Sequence, residues 1–190
     1  MPAISHQHPH IRPGYALLLT TLAALPWMAS MALADSTLDA RVLRVHDGDT
    51  ITVQAADGAK LKVRLIGIDT PELHQTCGKR ARERLYTLVQ GRTVSLQCAR
   101  QDRYQRQLCT VYAGQQDINL QLLAEGLAWH YAQSRELSPE LHGDYAASER
   151  AARAAGLGLW QQDEPLPPWQ YRALQRQGGT PPAALHNACG

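Results

Sequence analysis

The sequence predicts a small β-barrel with helices packed outside it, and three observations carry that prediction. Five short segments alternate apolar and polar residues at the period of a strand. Asp57-Gly58 stands between two of them as a hairpin signal. Runs at helical spacing fall between and after the strands, which gives the order three strands, helix, two strands, helix, helix, without an internal repeat.

The first two strands are read over Arg41–His46 and Thr50–Ala55, around the turn His46-Asp47-Gly48-Asp49. The third runs about Lys60 to Gly67, with Leu61, Val63 and Leu65 on one face and Lys62 and Arg64 on the other. Ala81, Leu85, Leu88 and Val89 mark the first helix, closed by Gly91 at C′. Thr93–Cys98 and Gln107–Tyr112 are the fourth and fifth strands, joined by the polar loop Ala99–Arg106. A second helix spans about Ile118 to Glu125. Ser138-Pro139 is an N-cap followed by Pro at N1, opening a third helix with the stripe Leu141, Tyr145, Ser148 and Ala152. Beyond Trp160 the chain turns Pro-rich, so residues 163–190 are expected to form a tail, disordered from Gly178 to Pro182.

Composition sets bounds without naming a function. With 44% hydrophobic and 19% charged residues and a formal net charge of +2, the 190-residue chain is neither low-complexity nor basic enough to announce nucleic acid. Residues 1–34 have no acidic residue and one Arg, Arg12, followed by an apolar run from Tyr15 to Leu25. Pro26 and the small-residue ending Ala32-Leu33-Ala34 complete the order of a secretory signal peptide cleaved before Asp35. The alternative is an uncleaved anchor, since Tyr15–Ala34 is just long enough to span a bilayer, but Pro26 and the A-x-A ending favour cleavage. Localisation is therefore expected to be exported, periplasmic or secreted, with no stable membrane association afterwards. Cys77, Cys98, Cys109 and Cys189 all lie in the mature part and match neither a zinc nor a C-x-x-C redox spacing, so they read as structural.

Three segments carry chemistry. Asp47-Gly48-Asp49-Thr50 alone is an ordinary turn. Arg64-Leu65-Ile66-Gly67-Ile68-Asp69-Thr70-Pro71-Glu72 places a guanidinium, two carboxylates and a Thr around a strand end that Pro71 stiffens. Asp102-Arg103-Tyr104-Gln105-Arg106 adds arginine beside an aromatic on a loop. Together they supply two carboxylates and a backbone carbonyl for Ca²⁺, two arginine forks for a phosphodiester, and a remaining carboxylate to hold or deprotonate water. That set is complete for phosphodiester hydrolysis.

These segments, with Gly126-Leu127-Ala128 and Gly156-Leu157-Gly158-Leu159-Trp160, resemble the staphylococcal-nuclease-like (thermonuclease) domain family over about Leu38 to Trp160. The resemblance implies a five-stranded OB-fold barrel with three helices outside, over residues 35–162. It places Arg64, Glu72 and Arg106 at catalytic positions. Asp49, Asp69 and the Thr70 carbonyl fall at the calcium site, and Arg103 and Tyr104 at the substrate. It further implies cleavage of DNA and RNA, single-stranded by preference, to 3′-phosphate ends, by a monomer.

The chain departs from the family at three places. The loop Leu73–Thr76 after Glu72 is short, whereas in the type enzyme that loop helps orient the base. Gln105 stands where Gly is common. The base-stacking tyrosines have no clean counterpart; Tyr131 or Trp129 could take that role, with core packing the better reading for Trp129. His46 and His74, beside the acidic cluster, read as solvated rather than as ligands. Trp160 and Trp169 read as packing the C-terminal segment onto the barrel. In the implied fold Cys98 and Cys109 lie on adjacent antiparallel strands and are expected to bond, with Cys77–Cys189 as the second pair. A different class of function, a non-enzymatic OB-fold module binding nucleic acid or protein, is the alternative to a nuclease. The full set of acidic and arginine positions argues against it.

Overall fold

The computed structural model describes residues 37–179 together with Met1, Ala3 and Cys189. The leader expected over residues 1–34 lies outside the described residues apart from Met1 and Ala3, as do residues 180–182 of the expected disordered run. The architecture below concerns the unit Asp35–Gly190.

Strands β1 (Thr37–Val45), β2 (Thr50–Ala55) and β3 (Lys60–Leu65) form an antiparallel meander. β2 turns into β3 through Asp57-Gly58, with Gly58 at φ +87° and the Asp57 carboxylate accepting the Ala59 N–H. After the two-residue strand β4 (Ile68–Asp69) and helix α1 (Gly78–Val89), the chain returns through β5 (Thr93–Gln101) and β6 (Gln107–Ala113). β5 pairs antiparallel with β1 and with β6, and β6 pairs parallel with β3. The order β3-β2-β1-β5-β6 thereby closes on itself as the expected five-stranded barrel, with the two-residue β7 (Gln116–Asp117) beside β6. Helices α2 (Ile118–Ala124), α3 (Pro139–Ala154) and α4 (Pro168–Arg176) pack outside with α1, and β8 (Trp129–His130) pairs with β4.

Alternation along the strands fills the interior: Val42, Val45, Ile51, Val53, Val63, Leu65, Val94, Leu96 and Val111 are all buried. α1 buries Ala81, Leu85, Leu88 and Val89 against it, and α2 buries Ile118, Leu122 and Leu123. The predicted cap of α3 is present, with Ser138 Oγ accepting the Leu141 N–H at 3.2 Å and Pro139 in the first turn. Among the described residues no helix is long and apolar enough to cross a membrane.

Three boundaries differ from the reading of the sequence. β1 starts at Thr37 and β5 continues to Gln101, because polar residues at both ends still find ladder partners across β1–β5 and β5–β6. β3 stops at Leu65 because Gly67 turns the chain at φ +70°. A fourth helix, α4, forms inside the Pro-rich segment. Pro168 stands in its first turn, where the missing N–H costs nothing, and Tyr171 is buried beneath it. Trp169 meets Trp129 edge-on at 6.3 Å, and Trp160 meets the same ring at 5.5 Å, which is the packing role expected of both.

Both cysteine pairs are bonded as expected. Cys98 and Cys109 face each other across β5 and β6, and Cys77 joins Cys189 over a separation of 112 residues.

One buried amide ties the barrel to its helices. Asn119, fully buried on α2, accepts the Val111 N–H at 3.2 Å and donates to the Ile66 carbonyl at 2.9 Å. Replacing it by Ala leaves both backbone groups buried without a partner, so Asn119→Ala should lower unfolding stability by about 2–4 kcal/mol in urea titrations. A loss under about 0.5 kcal/mol would show that water or backbone relaxation replaces the amide.

Candidate active site

The site forms where β2 begins, β3 ends and β4 follows, with the β5–β6 loop as the opposite wall. Two glycines set the close approach. A Cβ on Gly48 would lie 2.7 Å from Thr70 Oγ1 and 2.8 Å from the Ala81 Cβ. The turn therefore sits against β4 only because residue 48 has no side chain. A Cβ on Gly78 would collide with the Glu72 carbonyl, so the start of α1 fixes the backbone that carries Glu72.

Asp49 and Asp69 are 4% and 3% exposed, which makes their negative charge costly unless it is compensated. Asp49 accepts the Thr70 N–H at 2.9 Å and the Thr70 hydroxyl at 2.8 Å on Oδ2, and the Thr50 hydroxyl at 3.1 Å on Oδ1. Arg64, projecting from the end of β3, pairs with Asp49 through Nη1 and with Asp69 Oδ1 through Nη2 at 2.8 Å. Burial pulls the Arg64 pKa down while the neighbouring Asp69 and Asp47 carboxylates hold it up, and the guanidinium remains charged. Glu72 follows Pro71 at the mouth and is only partly buried.

On the opposite wall Asp102 organises the loop. It accepts the backbone N–H groups of Tyr104 (2.8 Å) and Arg106 (3.0 Å) on Oδ1, and Arg106 Nε at 2.8 Å on Oδ2. Burial alone would raise its pKa, but hydrogen bonds from Arg106 and Tyr104 hold it below the usual carboxylate range. Arg106 and Arg103 flank the Tyr104 ring, with guanidinium carbons 5.3 and 4.8 Å from its centroid. Gln105 takes φ +61°, a left-handed conformation that glycine adopts without strain. The Cys98–Cys109 bond staples the two strands at the base of this loop.

All eight residues singled out in the sequence (Asp49, Arg64, Asp69, Thr70, Glu72, Arg103, Tyr104 and Arg106) line one cleft of about 560 Å³. Asp47, Thr50, Pro71 and Tyr131 share it. Tyr131 is 40% exposed and Trp129 3%, so only the tyrosine is available to a base. His74 is exposed, whereas the His46 ring is partly buried and bonds the Thr52 hydroxyl at 2.8 Å rather than being solvated as expected.

Sequence reasoning missed Arg172. From α4 it contacts Asp69 Oδ2 at 2.7 Å, Asp69 Oδ1 at 3.2 Å and Glu72 Oε1 at 2.8 Å. The available signal was helical spacing, since Trp169, Arg172 and Arg176 recur at i, i+3 and i+7 after the helix-starting Pro167-Pro168.

The donor set suits a hard cation. Among the described residues no group of three or more His, Cys, Asp or Glu side chains is arranged to hold a metal ion. Two buried carboxylates, Asp49 and Asp69, with the Thr70 carbonyl and water, still match the oxygen chemistry of Ca²⁺.

A family model described as staphylococcal nuclease homologue matches residues 62–162. That span holds every singled-out residue except Asp49. An uncharacterized endonuclease of Haemophilus influenzae is 34% identical over 160 residues, 84% of this chain and 86% of the relative. Protein ParB of Escherichia coli is 34% identical over 171 residues, 85% of this chain and 93% of its own. A staphylococcal-like nuclease of Arabidopsis thaliana is 33% identical over 119 residues, 63% of this chain and 35% of the plant protein.

Two predictions come from the local geometry. Gln105→Gly should raise stability by about 0.5–1 kcal/mol, because relief of the left-handed strain exceeds glycine's extra chain entropy. Loss of stability on chemical denaturation would mean that the glutamine side chain holds the turn. The second concerns β8, which pairs with the strand carrying Asp69. His130 Nε2 and His142 Nδ1 lie 3.1 Å apart, and His142 Nε2 donates to the Ser134 carbonyl at 2.7 Å. Burial, then the neighbouring His142, lowers the His130 pKa from the ordinary 6.5. The unfolded chain therefore takes up a proton that the folded one resists, and stability present above pH 6.5 declines as pH falls below it. Urea midpoints should drop less between pH 7.5 and 5.5 in His130→Gln than in the parent, and equal drops would remove His130 from the account.

Proposed function

Because the chain belongs to the staphylococcal nuclease homologue family, we propose that it is an exported, calcium-dependent nuclease that hydrolyses DNA and RNA phosphodiesters to 3′-phosphate ends. The observation that carries the reading is the convergence, in one cleft, of three carboxylates and the two arginine forks Arg64 and Arg106. A binding module has no need to bury Asp49 and Asp69 at the base of such a cleft, because acidic groups there weaken contact with nucleic acid.

In this reading Arg64 and Arg106 grip the non-bridging oxygens and stabilise the charge that builds on them as phosphorus becomes five-coordinate. Glu72 holds a water in line with the scissile bond and accepts its proton as the new O–P bond forms. The bond to the 5′-oxygen breaks, that oxygen takes a proton from solvent, and the phosphate stays on the 3′ side. Calcium bound by Asp49, Asp69 and the Thr70 carbonyl would add positive charge beside the phosphate. Tyr104 and Arg103 extend the contact along the backbone, and the exposed Tyr131 ring offers a stacking face, which favours single strands over duplex. The apolar, small-residue leader and the two disulfides support export, and with the leader removed we propose a monomer free of the membrane.

The test is cleavage of single-stranded DNA and RNA by the mature chain, with Ca²⁺ and with a chelator. Chelation should abolish turnover, and Glu72→Gln and Arg106→Ala should each reduce kcat by roughly 10²–10⁴-fold while the melting temperature stays near that of the parent. A folded parent that binds DNA but cleaves neither polymer with any divalent ion would sink the enzyme reading and leave the binding module.

A further inference from the structure

The turn after Glu72 is short, and what holds it comes from the other end of the chain. Glu72 and Gln75 close it on each other: the Glu72 N–H donates to Gln75 Oε1 at 3.1 Å, and the Gln75 N–H returns to the Glu72 carbonyl at 2.8 Å. The buried Gln75 amide then donates to the Leu166 carbonyl, immediately before α4. Cys77, two residues further on, is bonded to Cys189. Trp169 and Tyr171 seat α4 against Trp129 and the interior. The Gln75–Leu166 hydrogen bond and the Trp169–Trp129 contact therefore hold α4 beside this part of the site, and from that helix one guanidinium reaches both Glu72 and Asp69.

We propose that Arg172 is a positioning residue of the active site, holding the Glu72 carboxylate in its working direction and tying it to Asp69. The geometry is that of a fork. Nη1 bonds Glu72 Oε1 at 2.8 Å and Asp69 Oδ1 at 3.2 Å, while Nη2 bonds Asp69 Oδ2 at 2.7 Å. Asp69 is thus gripped through both oxygens, which fixes the guanidinium plane, and the fixed plane leaves Glu72 one favourable orientation. Only one Glu72 oxygen is engaged by Arg172, so the other is available for water. Glu72 sits on a partly exposed turn, and a carboxylate there would otherwise sample several rotamers. A base misdirected by even about 1 Å loses much of its effect, so the work of aiming it falls to α4. Lys would supply the charge at this position but not the planar pair of donors.

The proposal rests on the nuclease reading, and its test separates the two. Arg172→Met keeps the aliphatic stem that packs α4, and Arg172→Lys keeps the charge. With saturating Ca²⁺ on single-stranded DNA, Arg172→Met should lower kcat by roughly 10- to 100-fold with KM changed less than about threefold, and Arg172→Lys should recover part of the loss. A merely structural arginine would leave kcat of the folded variant unchanged, and a phosphate-binding one would raise KM instead; either result overturns the proposal. Melting temperatures of Arg172→Met, Glu72→Gln and the double variant, measured without metal, read the contact independently of activity. Non-additive shifts uphold it and additive ones overturn it. A parent that cleaves nothing yet shows non-additive shifts would refute the nuclease reading while leaving the grip of Arg172 on Glu72 in place.

Discussion

The burial of two carboxylates under one guanidinium constrains everything near the cleft. Asp49 and Asp69 are almost wholly removed from water, and neither is tolerable there as an uncompensated charge. Arg64 answers both at once, and Thr50 and Thr70 supply the remaining donors to Asp49. Because these groups come from the start of β2, the end of β3 and the run after β4, the network closes only when the barrel's upper rim is complete. Removing Arg64 would therefore leave the buried Asp49 without a cationic partner and Asp69 with Arg172 alone, which makes it a poorer probe of mechanism than Arg106, whose partner Asp102 lies on a hydrated loop.

The barrel's topology explains why the second wall is where it is. The parallel β3–β6 pairing brings Arg64 opposite Leu108, so the β5–β6 loop is carried directly over the end of β3. Asp102 then folds that loop by accepting two backbone N–H groups, and it holds Arg106 by the side chain. The disulfide at Cys98–Cys109 limits how far the two strands can part beneath it. A bulge between Cys98 and Arg100 marks where the ladder adjusts to the loop. The loop arginine is thus preset by local hydrogen bonds, whereas Arg64 is preset by burial.

Most of the barrel was legible because strand alternation and the Asp57-Gly58 turn are local signals. The eight site residues were legible as a set through resemblance, and the structure brings them into one cleft. What escaped was non-local. Polar residues at Thr37–Asp39 and Ala99–Gln101 extend β1 and β5 because of the partners across from them, which no window of sequence contains. β4 and β8 are two residues each and exist only as each other's partner. The Pro-rich segment read as a tail, although proline at the first helical turn starts α4. Arg172 was hidden by the same misreading, a hundred residues from the glutamate it meets.

The charge pattern of the finished site explains a feature that composition left puzzling. A net charge of +2 is small for a protein expected to hold a polyanion. The cleft itself, however, sets Arg64, Arg103, Arg106, Arg172 and Arg176 around four carboxylates, Asp47, Asp49, Asp69 and Glu72. Asp49 and Asp69 are buried and paired with Arg64 and Arg172, while Arg103 and Arg106 bring positive charge to the facing wall of the cleft. A divalent cation entering this site would meet carboxylates that guanidinium groups already neutralise. Under the proposed function it would share Asp49 and Asp69 with Arg64 and Arg172. Under the proposed function, gathering these arginines in one cleft lets a protein of nearly neutral charge hold a polyanion at one place rather than along its whole surface.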